Sequence, residues 1–325
     1  MKNKKFVLLF LPFLLTGCVK HIDYHGNEDK YFLEVDYHDD FRILQLCDIH
    51  MSASDDADLH YAFMNKTITE ANADFIVLNG DLFNYADKRT VKSLFKFIDS
   101  YHTPWTFTYG NHDDQGYYND HYLQDVIGKY QYSKFVNIGD NVSGRSNFII
   151  NLVDGSHNVK HQIFLLESHS YQFHEYFGYD YIKKDQIDWY EHMVNYSTTN
   201  FGGSVIPSTM FFHVPFPEFE EAYELEKAGD PSVTLVMGEH REYTYPQPVN
   251  SGMFAKICEL GSTKTVGCSH LHVDDCVYLF NGIKLCFGVT STDRVYADPD
   301  MMGGMLYTIQ DDGTCETTII TKNYD

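Results

Sequence analysis

Trp105-Thr106-Phe107-Thr108-Tyr109-Gly110-Asn111-His112-Asp113 is the stretch on which the reading of this chain turns. Its first five residues, Trp105 to Tyr109, are apolar or β-favouring and predict a short buried strand. The chain then turns at Gly110 and presents an amide, an imidazole and a carboxylate at the strand's C-terminal end. Open α/β sheets bind their ligands at that edge. An Asn carbonyl is a neutral oxygen ligand, and the adjacent His is either a second ligand or a proton donor. Gly-Asn alone is ordinary turn chemistry. The weight comes from four similar clusters before and after it.

Toward the N-terminus, Phe41 to Cys47 predicts a buried strand that runs straight into Asp48-Ile49-His50. Side chains at i and i+2 on extended chain point the same way, so Asp48 and His50 share a face. Asp58 to Ala73 has helical spacing, and Phe75 to Leu78 predicts a second strand, ending in Asn79-Gly80-Asp81. Thr90 to Tyr101 predicts the next helix. About thirty residues separate Asp48 from Asp81, and Asp81 from Asn111, the length of one βαβ crossover. Three parallel strands would then bring Asp48, His50, Asp81, Asn111 and His112 to one edge of one sheet.

Toward the C-terminus, Phe148 to Val153 and Gln162 to Leu166 predict strands of a second sheet, the latter leading to Glu167 and His169. Lys184 to Asn195 predicts a helix with Trp189 on its apolar side, followed by a loop from Thr198 to Ser204. Met210 to Phe212 predicts a short strand ending at His213, where Val214-Pro215-Phe216-Pro217 stops continuation. Glu218 to Ala228 is helical and acidic, and Ser251 to Leu260 reads as a helix with Ser251 as its cap. Thr263 to Gly267 leads to Ser269-His270-Leu271-His272, again with imidazoles at i and i+2. Val277 to Phe280, Lys284 to Phe287 and Met305 to Ile309 are closing strands, with Asn281-Gly282 as a hairpin turn.

A chain of 325 residues, 43% hydrophobic and 16% aromatic, can fill one large α/β core. Its formal net charge of −22 disfavours a stable nucleic-acid partner. An anionic substrate must therefore be drawn in by positive charge that the composition lacks, and bound metal ions would supply it. Cys47, Cys258, Cys268, Cys276, Cys286 and Cys315 lack zinc-ribbon spacing, and Cys47 and Cys286 lie in apolar strand-like runs. His21, His25, His38, His60, His102, His121 and His157 have no ligand-like context.

In order, the blocks are Asp48-x-His50, Gly80-Asp81, Gly110-Asn111-His112-Asp113, His213 and His270-x-His272. The series resembles the calcineurin-like metallophosphoesterase superfamily over the chain from about Phe41 onward. His213-Val-Pro-Phe-Pro-Glu218 and Asn250-Ser-Gly-Met-Phe254 further resemble its purple-acid-phosphatase-like branch. The resemblance implies a four-layer α/β/β/α sandwich of two mixed β-sheets flanked by helices. It also implies two divalent or trivalent metal ions of the Mn, Fe or Zn type, which suit a donor set rich in imidazole. Asp48, His50, Asp81 and His272 would hold one ion; Asp81, as a bridge, with Asn111, His213 and His270 would hold the other. A metal-bound hydroxide would attack phosphorus, and His112, oriented by Asp113, would assist the leaving group.

Two departures accompany the resemblance. Ser269 stands where the family usually has Gly before the paired histidines. The tyrosinate that colours purple phosphatases falls at Asn84, with Tyr85 one step out of register, so no such colour is expected. Other polar residues near the blocks are open to two readings. Glu167 and His169 either line the cleft or simply follow a strand. Asp274 and Asp275 either support His272 or make a turn. His240 and Arg241 are candidates for contacting substrate phosphate.

Residues 1–17 read as a signal peptide, with Lys2, Lys4 and Lys5 before an apolar run from Phe6 to Leu15 too short to span a bilayer. Leu15-Thr16-Gly17-Cys18 resembles the lipobox of bacterial lipoproteins and implies lipidation of Cys18. Residues 18–38 then read as a lipid-tethered spacer and 39–325 as the phosphoesterase domain. The expectation is an extracytoplasmic, membrane-anchored hydrolase of small phosphorylated substrates, with phosphomonoesters slightly favoured. The alternatives are a phosphodiesterase or nucleotide pyrophosphatase, and a non-catalytic metal-containing surface binding protein.

Overall fold

The computed structural model describes residues 24–118, 121–138, 142–172 and 178–321. The leader and Cys18 lie outside the described residues. A first strand, β1 (Phe32–Asp36), precedes a βαβαβ unit of β2 (Arg42–Leu46), α1 (Ala57–Ala71), β3 (Phe75–Asn79), α2 (Lys88–Asp99) and β4 (Trp105–Thr108). The middle of the chain adds α3 (Tyr122–Ile127), β5 (Phe148–Val153), β6 (Val159–Leu165), a short hairpin of β7 (Tyr171–Gln172) and β8 (Gly178–Tyr179), α4 (Lys184–Asn200) and β9 (Ser208–Phe211). The remainder is α5 (Glu218–Lys227), β10 (Val233–Met237), α6 (Met253–Leu260), β11 (Thr263–Cys268), β12 (Val277–Phe280), β13 (Ile283–Phe287), β14 (Gly303–Ile309) and β15 (Cys315–Thr321).

The three strands of the βαβαβ unit pair in parallel, as their spacing requires. They lie in a five-stranded sheet of order β15-β14-β2-β3-β4, and an eight-stranded sheet runs β1-β5-β6-β9-β11-β13-β12-β10. Both are mixed. Alternation along the strands divides the apolar residues into layers. Ile76 and Leu78 of β3 face Phe63, Leu94 and Ile98 on α1 and α2. Phe75 and Val77 face the other way, onto Ile163, Leu165 and Phe211 of the second sheet. The far side of that sheet packs Phe164 and Val266 against Trp189, Phe219 and Ile257 on α4, α5 and α6. Three apolar layers between four structural ones make the α/β/β/α sandwich.

Some local expectations fail for physical reasons. The folded unit begins before residue 39: within the segment read as spacer, β1 pairs in parallel with β5. Helix α4 runs through Thr198 and Thr199, read as loop; their hydroxyls are accommodated by bonding back to the carbonyls of Val194 and Asn195. Ser251 does not cap α6; Gly252 occupies that position at φ 87°, its N–H donating to Asn250. The Asn281-Gly282 turn holds, both residues at positive φ between antiparallel β12 and β13. The six described cysteines are free thiols, and Cys258 alone is exposed.

His161 on β6 is buried, with Nε2 2.9 Å from Thr209 Oγ1 and Nδ1 unpartnered. Burial pushes its pKa down to about 3. The unfolded chain therefore takes up the proton first, so stability is complete above the ordinary imidazole range and falls as pH drops through it. Between pH 7 and pH 5, His161→Gln should lose about 2 kcal/mol less stability than the parent. Urea unfolding at the two pH values measures this, and equal losses would contradict it.

Candidate metal centre

Every block found in the sequence lies just past the C-terminal end of a strand. β2 leads to Asp48 and His50, β3 to Asp81, and β4 to Asn111 and His112. From the second sheet, β9 leads to His213 and β11 to His270 and His272. The chain turns sharply at these points: Asp48, His50 and Asp81 have φ near 50° and His270 has φ 80°. Left-handed backbone at non-glycine residues costs roughly 1–3 kcal/mol each and persists only where the surroundings enforce it. Two glycines allow the loops to approach. A Cβ on Gly110 would lie 2.2 Å from Asp81 N, and one on Gly80 would lie 2.6 Å from His213 Nδ1.

These turns assemble two buried triads, Asp48/His50/His272 and Asp81/His213/His270, the donor atoms of each within 4.8 Å of one another. Asp81 joins them: its Oδ2 lies 3.1 Å from His213 Nε2 and 3.7 Å from His50 Nε2. Asp48 Oδ1 is 3.4 Å from His272 Nε2 and 3.8 Å from His213 Nε2. The Nε2 atoms of His50 and His272 face each other at 3.3 Å.

The remaining polar atoms of these side chains fix their direction. His272 Nδ1 donates to the Tyr296 carbonyl at 3.0 Å, which leaves its Nε2 lone pair for the site. His213 Nδ1 donates to Asn79 O at 3.0 Å and to Ser269 Oγ at 2.8 Å, with the same result. Asp81 Oδ1 accepts the His112 N–H at 2.7 Å and Asp48 Oδ2 accepts the His270 N–H at 3.2 Å. Asp48 Oδ1, His213 Nε2 and Asn111 Oδ1 are buried without a hydrogen-bond partner. Orphaned oxygen and nitrogen acceptors beside two buried carboxylates are costly unless cations meet them. The donor set therefore fits two metal ions, with Asp81 placed between them.

In the metal-free protein the charges settle unevenly. Burial alone would lower His213, but the Asp81 and Asp48 carboxylates raise it to about 9. Burial holds His50 down to about 4 and His270 to about 3. Both Asp48 and Asp81 stay below the usual carboxylate range despite burial, because His272 acts on the first and His213 on the second.

Asp113 does not orient His112. Its Oδ2 accepts the N–H groups of Gly110 at 2.7 Å and Asp81 at 3.0 Å, and its Oδ1 those of Leu82 at 2.9 Å and Phe83 at 3.1 Å. It fastens the β4 turn to the β3 turn. Burial and the Asp81 charge push it up to about 8, opposed by its N–H donors. The partner of His112 Nδ1 is Gln115 Oε1 at 2.9 Å, and the His112 ring sits 5.1 Å from that of His50.

Of the less certain positions, Glu167 binds Arg145, which also grips Asp114 through two nitrogens. His169 Nε2 meets Gln186 at 2.9 Å. Asp274 accepts the N–H groups of Arg241 and Glu242, which places Glu242 to accept from His272 N and from Tyr296 OH. His240 and Arg241 are occupied elsewhere, His240 stacked on Tyr223 at 3.9 Å and Arg241 paired with Glu239 and Asp298.

Sequence reasoning missed several supports. Tyr296 stacks on His272 at 4.4 Å, Tyr179 meets His270 edge-on at 4.6 Å, and Tyr171 OH lies 3.5 Å from Asn111 Nδ2. Thr290 and Thr292 donate to the carbonyls of Asp48 and Ile49. Nothing local marks these residues; they matter only by position.

A four-layer sandwich that points two carboxylate–imidazole triads at one shared cleft defines a dinuclear-metal class of domain. Comparison with known proteins agrees. The chain belongs to the calcineurin-like phosphoesterase family, whose pattern matches residues 41–274. An Arabidopsis thaliana protein named probable inactive purple acid phosphatase 29 is 25% identical over 317 residues, covering 86% of this chain and 79% of that protein. Phosphatase DCR2 of Saccharomyces cerevisiae is 26% identical over 76% of this chain, which spans 47% of that protein's length. A dimetal phosphatase from Danio rerio shares the fold with a TM-score of 0.54 at 11% identity, over 83% of this chain and 93% of that one.

Asp113→Asn removes one acceptor oxygen from four buried N–H groups and should lower stability by about 2–5 kcal/mol. Denaturant unfolding of the metal-free protein measures it. If Asp113 instead worked through His112, the midpoint would hold and only turnover would fall. Ser269→Ala, which leaves His213 with Asn79 alone, should weaken metal retention by about 10–100-fold. Competition with a chelator gives that number.

Proposed function

We propose that this protein hydrolyses phosphate esters at a dinuclear metal centre, with phosphomonoesters preferred, while tethered outside the cytoplasmic membrane by lipid on Cys18. The observation that carries the reaction is the pair of triads with Asp81 between them and unpartnered donors directed inward. The lipobox-like Leu15-Thr16-Gly17-Cys18 supports the tether.

Asp48, His50, Asp81 and His272 would hold one ion, and Asp81, Asn111, His213 and His270 the other. Ions there would supply positive charge for the phosphoryl oxygens and would activate a water as nucleophile. The protein's own contribution is mainly positioning, which suffices for phosphoryl transfer. His112 hands a proton from Nε2 to the departing oxygen, its Nδ1 held by Gln115 and its backbone N–H by Asp81. Tyr171, Tyr179 and Tyr296 touch Asn111, His270 and His272 and so limit the movement of these ligands.

The name of the plant relative raises a second reading, a metal-holding protein that binds without turnover. The full set of donors together with His112 favours the enzyme. Chelated protein should regain hydrolysis of p-nitrophenyl phosphate when Mn, Zn or Fe is restored. The rate ratio to bis-p-nitrophenyl phosphate then separates monoesterase from diesterase, and two bound ions without turnover of either would favour the binding protein.

Two substitutions divide the roles. Asp81→Asn should reduce the occupancy of both ions and abolish turnover. His112→Ala should lower kcat by about 10²–10⁴ and leave metal content near normal. Metal loss in His112→Ala, measured by elemental analysis, would reverse that division.

A further inference from the structure

A third cluster of metal-capable side chains lies away from the loops that build the centre. His25, Glu28 and His192 bring one donor atom each to within 4.8 Å of the others. His25 and Glu28 precede β1, and His192 stands on α4, so two segments far apart in sequence meet here. The imidazoles of His25 and His192 pack edge to face at 4.2 Å. Glu28 Oε1 lies 2.9 Å from His192 Nε2, and Glu28 Oε2 accepts the Gly26 N–H at 2.8 Å. The backbone bond fixes the carboxylate, and its other oxygen faces the rings.

The surroundings suit a cation. Tyr24 packs beside both rings, 5.3 Å from His25 and 4.9 Å from His192. Burial first, then the Asp188, Asp185 and Glu191 carboxylates on α4, raise its phenol above the usual range. These carboxylates are acidic neighbours of the site, although Asp188 also pairs with Lys184 and Glu191 with Lys256.

The cluster also occupies a definite place in how the N-terminal segment lies on α4. Trp189, His192 and Tyr196 form one stripe at spacings of three and four residues. Trp189 takes the Tyr31 ring at 5.5 Å, His192 takes Glu28, and the Tyr196 hydroxyl donates to Asp29 at 2.9 Å. Ring contacts hold both ends of this stripe, Tyr31 on Trp189 and Phe32 stacked on Tyr196 at 6.0 Å, and the Glu28–His192 pair lies between them. An ion between them would convert a weak polar contact into a clasp.

We propose that His25, Glu28 and His192 form a third cation site, separate from the two triads, that takes a divalent ion of the zinc class and clasps the segment before β1 onto α4. Two imidazoles and one carboxylate are a common zinc donor set, with water completing the coordination. The same set would accept cobalt or nickel and would bind calcium or magnesium poorly. The role of the ion here is structural: it joins the segment before β1 to α4.

Zinc alone is the probe. After loading and dialysis, the parent protein should retain one zinc more than His25→Ala, which keeps the Glu28–His192 hydrogen bond and so removes a ligand without removing the fold's own contact. His192→Gln should match it. Asp81→Asn, which lowers the occupancy of the catalytic centre, should keep the extra zinc. With zinc at a hundredfold excess over its Kd, amide exchange in residues 24–31 should slow about a hundredfold in the parent and not in His25→Ala. Turnover of p-nitrophenyl phosphate should be the same in both. Equal zinc content in the parent and His25→Ala would overturn the site, and zinc held there without added protection would overturn the clasp.

Discussion

Two carboxylates buried side by side constrain everything around them. Asp48 and Asp81 are 0% and 1% exposed, and each has an oxygen aimed at the same small volume. Unpaired, such charges are worth several kcal/mol against the fold. The structure meets this with imidazoles from the opposite sheet: His213 lies against both carboxylates and His272 against Asp48. The two sheets are thus held together at their strand ends by charge as well as along their faces by apolar packing. Because neither sheet holds the cluster alone, the site depends on the sandwich being closed.

That demand explains where backbone strain is stored. A strand that simply continued would carry Asp48, Asp81 and His270 past the cleft. Left-handed turns at each of them redirect the side chain within two residues of the strand end. The turns are affordable because their N–H groups are captured, those after β3 and β4 by the single Asp113 carboxylate. The β2 turn is held instead by side chains after β13, Thr290 and Thr292 on the carbonyls of Asp48 and Ile49, and Ser291 on the Cys47 N–H. A carboxylate that looked catalytic from its place beside His112 is therefore a fastening between loops, and its burial away from that ring is what the fastening requires.

Legibility in the sequence follows burial. β2, β3, β4, β5, β9 and β11 are short apolar runs buried along nearly their whole length, β4 even at a sheet edge, and were readable for that reason. Of the strands that escaped notice, β1, β10 and β15 are at sheet edges, and β7 and β8 form a hairpin of their own. Leu235 and Val236 of β10 remain exposed, and Glu34 and Asp36 of β1 face solvent. An edge strand pairs on one side only and carries charge on the other, so its pattern resembles a loop. The same logic holds in the site. Ligands announce themselves through residue type and spacing, whereas Gln115, Glu242 and Tyr296 act through what the fold brings near them, and one sequence holds no trace of that.

Ser269 joins the two levels. Read along the chain, it is a departure from a glycine before the paired histidines. In the structure its hydroxyl lies 2.7 Å from Asn79 O and 2.8 Å from His213 Nδ1, so it ties the β3 turn of one sheet to the β9 ligand of the other. A glycine there would leave His213 Nδ1 with Asn79 O as its single acceptor. The extra side chain fits without strain because Ser269 itself is not at positive φ; the sharp turn comes one residue later, at His270. The departure therefore does not loosen the centre. It adds a second acceptor to the imidazole whose Nε2 must stay directed at the site beside Asp81, at the point where the two sheets meet.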